Sequence, residues 1–160
     1  MKTKFKVSFT VKAWIAAAVP AFLLLAAGDL ALRSRDALLK AREQAAWRDN
    51  PGEKAAHYAA WFQERSEAIE KDSAAGKLTA EQSGRAAVLA AAERDFLISE
   101  SSSKQAFLWY KTAADDFYFP FNPWAQAARK ELPGALAAWR AELAAKGVKL
   151  ENWRIGGIKD

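Results

Sequence analysis

The chain has 160 residues and no cysteine, and its formal net charge at pH 7 is +5. The absence of cysteine excludes both a disulfide framework and a lipid-modified amino-terminal cysteine. Residues 1–28 hold four lysines and no acidic residue, so the rest of the chain has 20 basic and 19 acidic groups. The basic excess therefore belongs to the leader, and no basic stripe remains downstream that would indicate nucleic-acid binding.

The first predicted element is a membrane segment. Residues 1–12 form a basic leader, and Ala13–Gly28 carries no charged side chain. A basic flank stays on the cytoplasmic side, which places the leader in the cytoplasm of a bacterial cell and the rest of the chain beyond its inner membrane. Residues 13–32 supply the roughly 20 residues that a membrane-spanning helix requires. The side chains expected to contact lipid are Trp14, Ile15, Phe22, Leu23, Leu24 and Leu25.

A cleaved signal peptide is the alternative for this segment. The small residues Ala26-Ala27-Gly28 would provide the cleavage site, giving a signal peptide over residues 1–28. A retained anchor is favoured because the helical pattern continues from Asp29 to Arg48 with no turn residues before Asp49-Asn50-Pro51. In that interpretation Asp29 lies at the far membrane interface, and the first helix continues out of the membrane as a stalk.

Residues 33–147 are predicted to form an all-α helical bundle, because alanine is abundant and β-branched residues are few. Asn50 and Pro51 predict the start of a second helix, and Gly76 suits its left-handed end. Thr79 and Gln82 form a capping box for a third helix. The helical period then groups Tyr58, Trp61, Phe62, Arg65 and Ile69 on one face of the second helix, and Val88, Leu89, Ala92 and Phe96 on one face of the third.

The polar run Ser99–Lys104 predicts a turn and a cap before a fourth helix, whose stripe comprises Phe107, Tyr110, Ala114 and Phe117. Asn122-Pro123 predicts a short fifth helix. Pro133-Gly134 is expected to separate it from a sixth, because proline disrupts a helix interior. The sixth helix ends at Gly147 and presents Leu136, Trp139 and Leu143.

The sequence Phe-Tyr-Phe-Pro-Phe-Asn-Pro-Trp at residues 117–124 is hereafter the aromatic segment. It is expected to close one end of the core; contact with a partner, stacking on a sugar or peptide, and a place at the membrane interface are the alternatives. Residues 148–160 are predicted to be an extended tail, packed on the domain or docked on a partner. Partner-contact candidates are Phe117, Tyr118, Phe119, Phe121, Trp124, Trp153, Ile155 and Ile158.

No catalytic group is predicted. The chain has one histidine, His57, and no cysteine, so nucleophile–base pairs and zinc sites are nearly excluded, and no cofactor is expected. The sequence therefore predicts a non-catalytic, single-pass accessory or scaffold subunit. Its partners would be other membrane or envelope subunits, with membrane lipid around the amino-terminal helix. The alternative is a secreted periplasmic binding or chaperone-like protein that uses the aromatic segment.

Overall fold

The structure, a computed structural model, describes residues 9–148, with side chains at residue 14 and from residue 16 onward. This part of the chain is helical and contains no strand, which confirms the predicted all-α class for residues 9–148. Residues 149–160 of the predicted tail, including Trp153, Ile155 and Ile158, lie outside the described part. The helices are α1 (Phe9–Asp49), α2 (Pro51–Ala74), α3 (Ala80–Ser99), α4 (Ser102–Lys111) and α5 (Pro123–Ala145).

The first helix is continuous over 41 residues and includes Pro20. At a rise of 1.5 Å per residue it is about 60 Å long. The predicted continuation from Asp29 to Arg48 is confirmed, since α1 ends only at Asp49. One helix therefore includes both the apolar amino-terminal segment and a side of the helical core.

The core lies between the second half of α1, α4 and α5. In α1 the buried residues recur at helical spacing, so that a single stripe faces the other two helices. Many of the core residues are alanine, which lets the helix backbones approach closely, and the Phe107 and Trp139 rings stack with centroids 5.3 Å apart. The principal buried residues are Ser34, Ala37, Leu38, Ala41, Ala106, Phe107, Tyr110, Ala128, Ala135 and Trp139.

A π-helical turn, Thr112–Asp116, continues α4. The wider turn places two consecutive residues, Ala113 and Ala114, in the core, where both are buried. The Ser34 hydroxyl of α1 donates a hydrogen bond of 3.0 Å to the Ala113 carbonyl oxygen. This bond fixes the level of the π-helical turn along α1.

The α2–α3 hairpin stands beside this three-helix core. Thr79 accepts a hydrogen bond from the Gln82 amide, and the Gln82 side chain accepts one from the Thr79 amide, as the capping box predicts. Gly76 has a φ of 70°, which confirms its left-handed position at the end of α2. Asn50 occupies the N-cap of α2, but its side chain donates to the Glu53 carboxylate at 2.7 Å and bonds no backbone amide.

The predicted separation of a fifth and a sixth helix at Pro133-Gly134 is wrong. Helix α5 passes through both residues without a break. The carbonyl group that loses its hydrogen-bond donor at Pro133 is that of Arg129, four residues earlier, and Arg129 is exposed, so water can take the place of the missing donor. Buried or half-buried Leu132, Ala135 and Leu136 on either side pack against the core, and this packing keeps the helix continuous.

Candidate functional site

The amino-terminal half of α1 is an apolar rod that nothing in the described part of the chain covers. Of the predicted lipid contacts, Trp14, Phe22, Leu23, Leu24 and Leu25 are all exposed, with Leu24 at 74%; the Ile15 side chain lies outside the described atoms. By length and composition α1 is apolar enough to cross a membrane. That property is shared by signal sequences near an amino terminus, and so it fits both interpretations of the segment.

The first charges after the apolar run neutralise each other. Arg33 Nε donates to Asp29 Oδ2 at 2.7 Å, and both side chains are exposed. The first buried core residue, Ser34, follows directly. The change from an uncovered apolar helix to a packed bundle helix therefore takes place between Gly28 and Ser34.

The aromatic segment connects the π-helical turn to α5 and is held by Asn122. This fully buried side chain donates to the Phe117 carbonyl oxygen at 2.9 Å and accepts from the Trp124 and Ala125 amides at 3.1 and 3.4 Å. The predicted Asn122 cap is thus confirmed, and the same amide also closes the loop. Asparagine fits because its amide offers a donor nitrogen and an acceptor oxygen as separate atoms on one short stem, so that it bonds in two directions at once.

We expect Asn122→Ala to lower the free energy of unfolding by about 1–3 kcal/mol, because it removes the cap and leaves the Phe117 carbonyl without its partner. Equilibrium denaturation of the full chain in detergent would measure the loss. The matched control is Gln126→Ala, which removes an exposed hydrogen bond to the Pro120 carbonyl of the same segment. Surface bonds of that kind contribute little, so equal losses in the two variants would contradict the role of Asn122.

Only part of the aromatic segment closes the core. Phe117 and Phe119 are half-buried, whereas Phe121 is 86% exposed and Tyr118 is 43% exposed. Trp124 is exposed at the start of α5. The segment therefore combines a structural role on its inner side with three exposed rings, Tyr118, Phe121 and Trp124, on its outer side.

Two guanidinium groups lie over these outer rings. The Arg129 guanidinium carbon is 3.9 Å from the Tyr118 ring centroid, and that of Arg35 is 5.9 Å from the Trp124 centroid. Each such contact is favourable because the ring face is electronegative. The two contacts keep the outer rings in place relative to α1 and α5.

A second apolar surface lies on α3. Val88, Leu89 and Phe96 are on one face, as the period predicts, but that face points outward, with Val88 72% exposed. Ala90, on the opposite side, is buried where α3 packs along α2. Periodicity identified the apolar face correctly, and the structure shows that no described part of the chain covers it.

The corner between α2 and α4 contains a buried cation that the sequence analysis missed. Lys54 is only 5% exposed, and its ammonium group donates to the Glu100 carbonyl oxygen. Burial lowers the pKa of Lys54, while the Glu100 and Glu142 carboxylates act in the opposite direction. Lys54 precedes Tyr58 by four residues, so the two share the inner face of α2. That spacing was the one feature of the sequence from which the burial of Lys54 could have been predicted.

The rings around this lysine form a cluster at the bend from α1 to α2. The Trp47 ring centroid is 4.9 Å from that of His57 and 5.6 Å from that of Tyr58. A cleft of about 300 Å³ beside them is lined by residues of α1 to α4, among them Lys54 and Trp109. The contacts here join the hairpin to the core, and His57 itself is exposed.

A polar network links the three core helices. Glu131 of α5 accepts from Arg42 of α1, with Nε–Oε2 at 3.1 Å, and it also bonds the buried Tyr110 hydroxyl of α4. Burial raises the pKa of Tyr110 to about 12, and the hydrogen bond to Glu131 acts in the same direction. The Arg42 hydrogen bond lowers the pKa of Glu131. Tyr110 is therefore neutral in the folded chain well above the pH at which an exposed tyrosine ionises.

The Tyr110 shift predicts a pH-dependent stability. Below pH ~10 the contribution of Tyr110 to the free energy of unfolding is fully present. It is lost as pH rises toward about 12, because the unfolded chain then releases a proton that the folded chain keeps. We expect wild type to be more stable than Tyr110→Phe by about 1 kcal/mol near neutral pH, with this advantage falling above pH ~10. Denaturant titrations of both chains across the alkaline range measure it; a difference that stays constant would contradict the prediction.

Comparison of the chain with protein-family models, curated proteins and solved structures found no match. Among residues 9–148, no group of three or more histidine, aspartate or glutamate side chains is arranged to hold a metal ion. The function of the chain is therefore inferred from its own surfaces: the uncovered half of α1, the outer rings of the aromatic segment, and the apolar face of α3.

Proposed function

We propose that this protein is a non-catalytic, single-pass accessory or scaffold subunit of a larger membrane or envelope complex. The observation that carries the proposal is the continuity of α1, which runs from an uncovered apolar segment into the packed core without a loop. The helix spans the bacterial inner membrane and positions the bundle at its outer surface. The bundle then supplies the contact surface for other subunits.

The orientation of α1 in the membrane follows from its flanking charges. The four lysines of the leader precede the apolar run, and the charges that follow it begin with the Asp29–Arg33 pair. Because basic flanks stay on the cytoplasmic side, the amino terminus is cytoplasmic and residues 33–160 are periplasmic. The bundle contains no cysteine, so its stability in that oxidising compartment depends on packing alone.

The α3 face is the surface best suited to a partner subunit. Val88, Leu89 and Phe96 expose large apolar side chains on a hairpin that stands away from the three-helix core. Arg85 and Glu81 form an ion pair at the edge of this face, with Nη2 and Oε1 2.5 Å apart. An apolar centre with a charged rim is typical of contact surfaces between proteins. The occupant we propose is an amphipathic periplasmic helix of a neighbouring subunit, with its apolar side on Val88, Leu89 and Phe96.

The proposal is tested on the protein recovered from its own cell's membranes. We expect an intact mass near 17.6 kDa, resistant to salt and carbonate washing, and migration as a larger assembly in mild detergent. A Val88→Glu and Leu89→Glu double variant should reduce the size of the assembly, whereas Ala59→Glu and Ala68→Glu on exposed positions of α2 should not. A protein that is always monomeric in gently solubilised membranes would overturn the scaffold role.

The second candidate is a secreted periplasmic binding or chaperone-like protein. One observation favours it: cleavage after Gly28 leaves the packed bundle intact, since its first buried residue is Ser34. The exposed ring of Phe121 would then belong to a site for a peptide or glycan. A soluble species that begins near Asp29 would establish this alternative and exclude the anchor.

A further inference from the structure

The aromatic segment lies at the end of the bundle that faces the apolar half of α1. Helices α1 and α4 are antiparallel: Lys40 Nζ lies 4.8 Å from the Trp109 ring centroid, whereas the earlier Ser34 bonds the later Ala113. Moving from α4 into the π-helical turn therefore moves toward the amino terminus of α1. Residues 117–122 follow this turn and connect it to α5.

The pairing of α5 with α1 locates the aromatic segment along α1 independently. Arg42 pairs with Glu131, an offset of 89 residues, and Arg35 lies over Trp124 with the same offset. A constant offset means that α5 runs parallel to α1 in register. Because α5 begins at Pro123, which this offset places at the level of Ser34, the segment that joins the π-helical turn to α5 lies at the end of the bundle where the apolar run begins.

The distance from this level to the apolar run is short. Gly28 and Ser34 are six residues apart, which is about 9 Å along a helix. The polar headgroup layer on each side of the hydrocarbon is about 5–8 Å thick. With α1 in a membrane whose hydrocarbon ends between Gly28 and Leu32, the aromatic segment falls at the headgroup layer.

The chemistry of the segment fits that layer. Tyrosine and tryptophan are enriched at membrane interfaces, where one end of the ring system is apolar and the other is wet. Phe121 is the most exposed large apolar side chain among those described in the bundle, and it lies between the tyrosine and the tryptophan in sequence. The nearby charges balance in number: Arg33 pairs with Asp29, and Arg129 lies 3.8 Å from Asp115. The exposed Arg35 over Trp124 is matched by the opposite charge of the exposed Asp116 before the segment. The contact therefore depends on rings and does not require anionic lipid.

We propose that the outer rings of the aromatic segment, Tyr118, Phe121 and Trp124, lie in the lipid headgroup layer of the membrane that α1 spans. This inference rests on the proposed function, because it requires α1 to be the anchor. The bundle then contacts the membrane at two places, the helix and these outer rings. Two contacts fix the tilt of the bundle, which a single helix would leave free.

The chain contains no cysteine, so single labels are introduced without background. Three variants of the full chain are made, each with one substitution: Pro120→Cys, Leu24→Cys or Ala145→Cys. Each is labelled with a fluorophore at its cysteine and reconstituted in phosphatidylcholine vesicles. Some of the lipid bears a nitroxide quencher on its headgroup or along its acyl chain. Pro120 is exposed within the segment, and its replacement removes none of the aromatic rings. Ala145 is exposed at the far end of α5.

We expect headgroup nitroxide to reduce the fluorescence at position 120 about twofold, as for a group at the depth of interfacial aromatic residues, with little change at position 145. Acyl-chain nitroxide should quench position 24. Quenching at 24 without quenching at 120 overturns the inference and leaves the anchor standing. No quenching at 24 overturns the anchor and the inference together.

A second variant separates insertion of the rings from mere proximity. Phe121→Ser in the labelled Pro120→Cys chain should lose most of the headgroup quenching, because the most exposed ring is removed. The control is Leu108→Ser, which removes an exposed apolar side chain from α4, outside both proposed contact surfaces, and should leave the quenching unchanged. Equal quenching with and without the Phe121 ring would overturn insertion. Protection from a water-soluble quencher without lipid quenching would indicate a protein contact in place of lipid, and would also overturn it.

Discussion

Phe107→Ala should lower the free energy of unfolding by about 3–5 kcal/mol. The ring is 2% exposed and stacks on Trp139, so its removal loses both burial and a ring contact across α4 and α5. The core is lined mainly by alanine, which has no long side chains that can move into the cavity. Equilibrium denaturation of the full chain in detergent would measure the loss.

The neighbouring Leu108 supplies the control. It is 41% exposed on the other side of the same helix, and Leu108→Ala changes a similar apolar volume without opening an internal cavity. We expect this variant to stay within about 1 kcal/mol of wild type. Comparable losses at the two positions would show that α4 is not oriented as the structure describes.

Ala106→Leu should destabilise the fold by about 1–3 kcal/mol through overpacking. Ala106 is fully buried in the cluster shared by α1, α4 and α5, where only a methyl group fits between the backbones. Because the added atoms displace whole helices, the loss should appear together with altered near-ultraviolet circular dichroism. Both are measured in the same denaturation series.

Ala137→Leu on α5 is the matched control for that substitution. The residue is exposed in the middle of a helix, and leucine has nearly the helix propensity of alanine. We expect no measurable loss. Should Ala106→Leu prove as stable as Ala137→Leu, the close approach of the three helices would be contradicted.

Local signals predicted most of the helix boundaries. Thr79, Ser101 and Asn122 cap their helices through the hydrogen bonds that their side chains allow, and Gly76 and Gly147 take the left-handed conformation that ends a helix. Such features depend on a few neighbouring residues and can therefore be predicted from the sequence. The stripe predicted for the fourth helix was correct for Phe107, Tyr110 and Ala114, which are buried, although Ala114 lies in the π-helical turn; Phe117, its fourth predicted member, follows that turn and is half-buried.

Features that depend on distant residues were not predictable. Pro133 disrupts an isolated helix by about 3 kcal/mol, but packing of the flanking residues on the core outweighs that local preference. The period of α3 indicates an apolar face without indicating what covers it. The burial of Lys54 depends on the Glu100 carbonyl, 46 residues away. In the aromatic segment, composition alone did not separate the half-buried Phe117 and Phe119 from the outer rings.

An unbroken helix also transmits rotation. Each residue inserted in a helix turns everything that follows by about 100° and advances it by about 1.5 Å. In the proposed orientation, one residue added or removed between Gly28 and Ser34 would turn the whole bundle about the membrane normal and redirect both apolar surfaces. A change of seven residues, close to two full turns, would nearly restore the rotational position of the bundle but would place it at a different distance from the membrane. If α1 is the proposed anchor, the number of residues in that short stretch sets the direction in which the bundle faces a partner subunit.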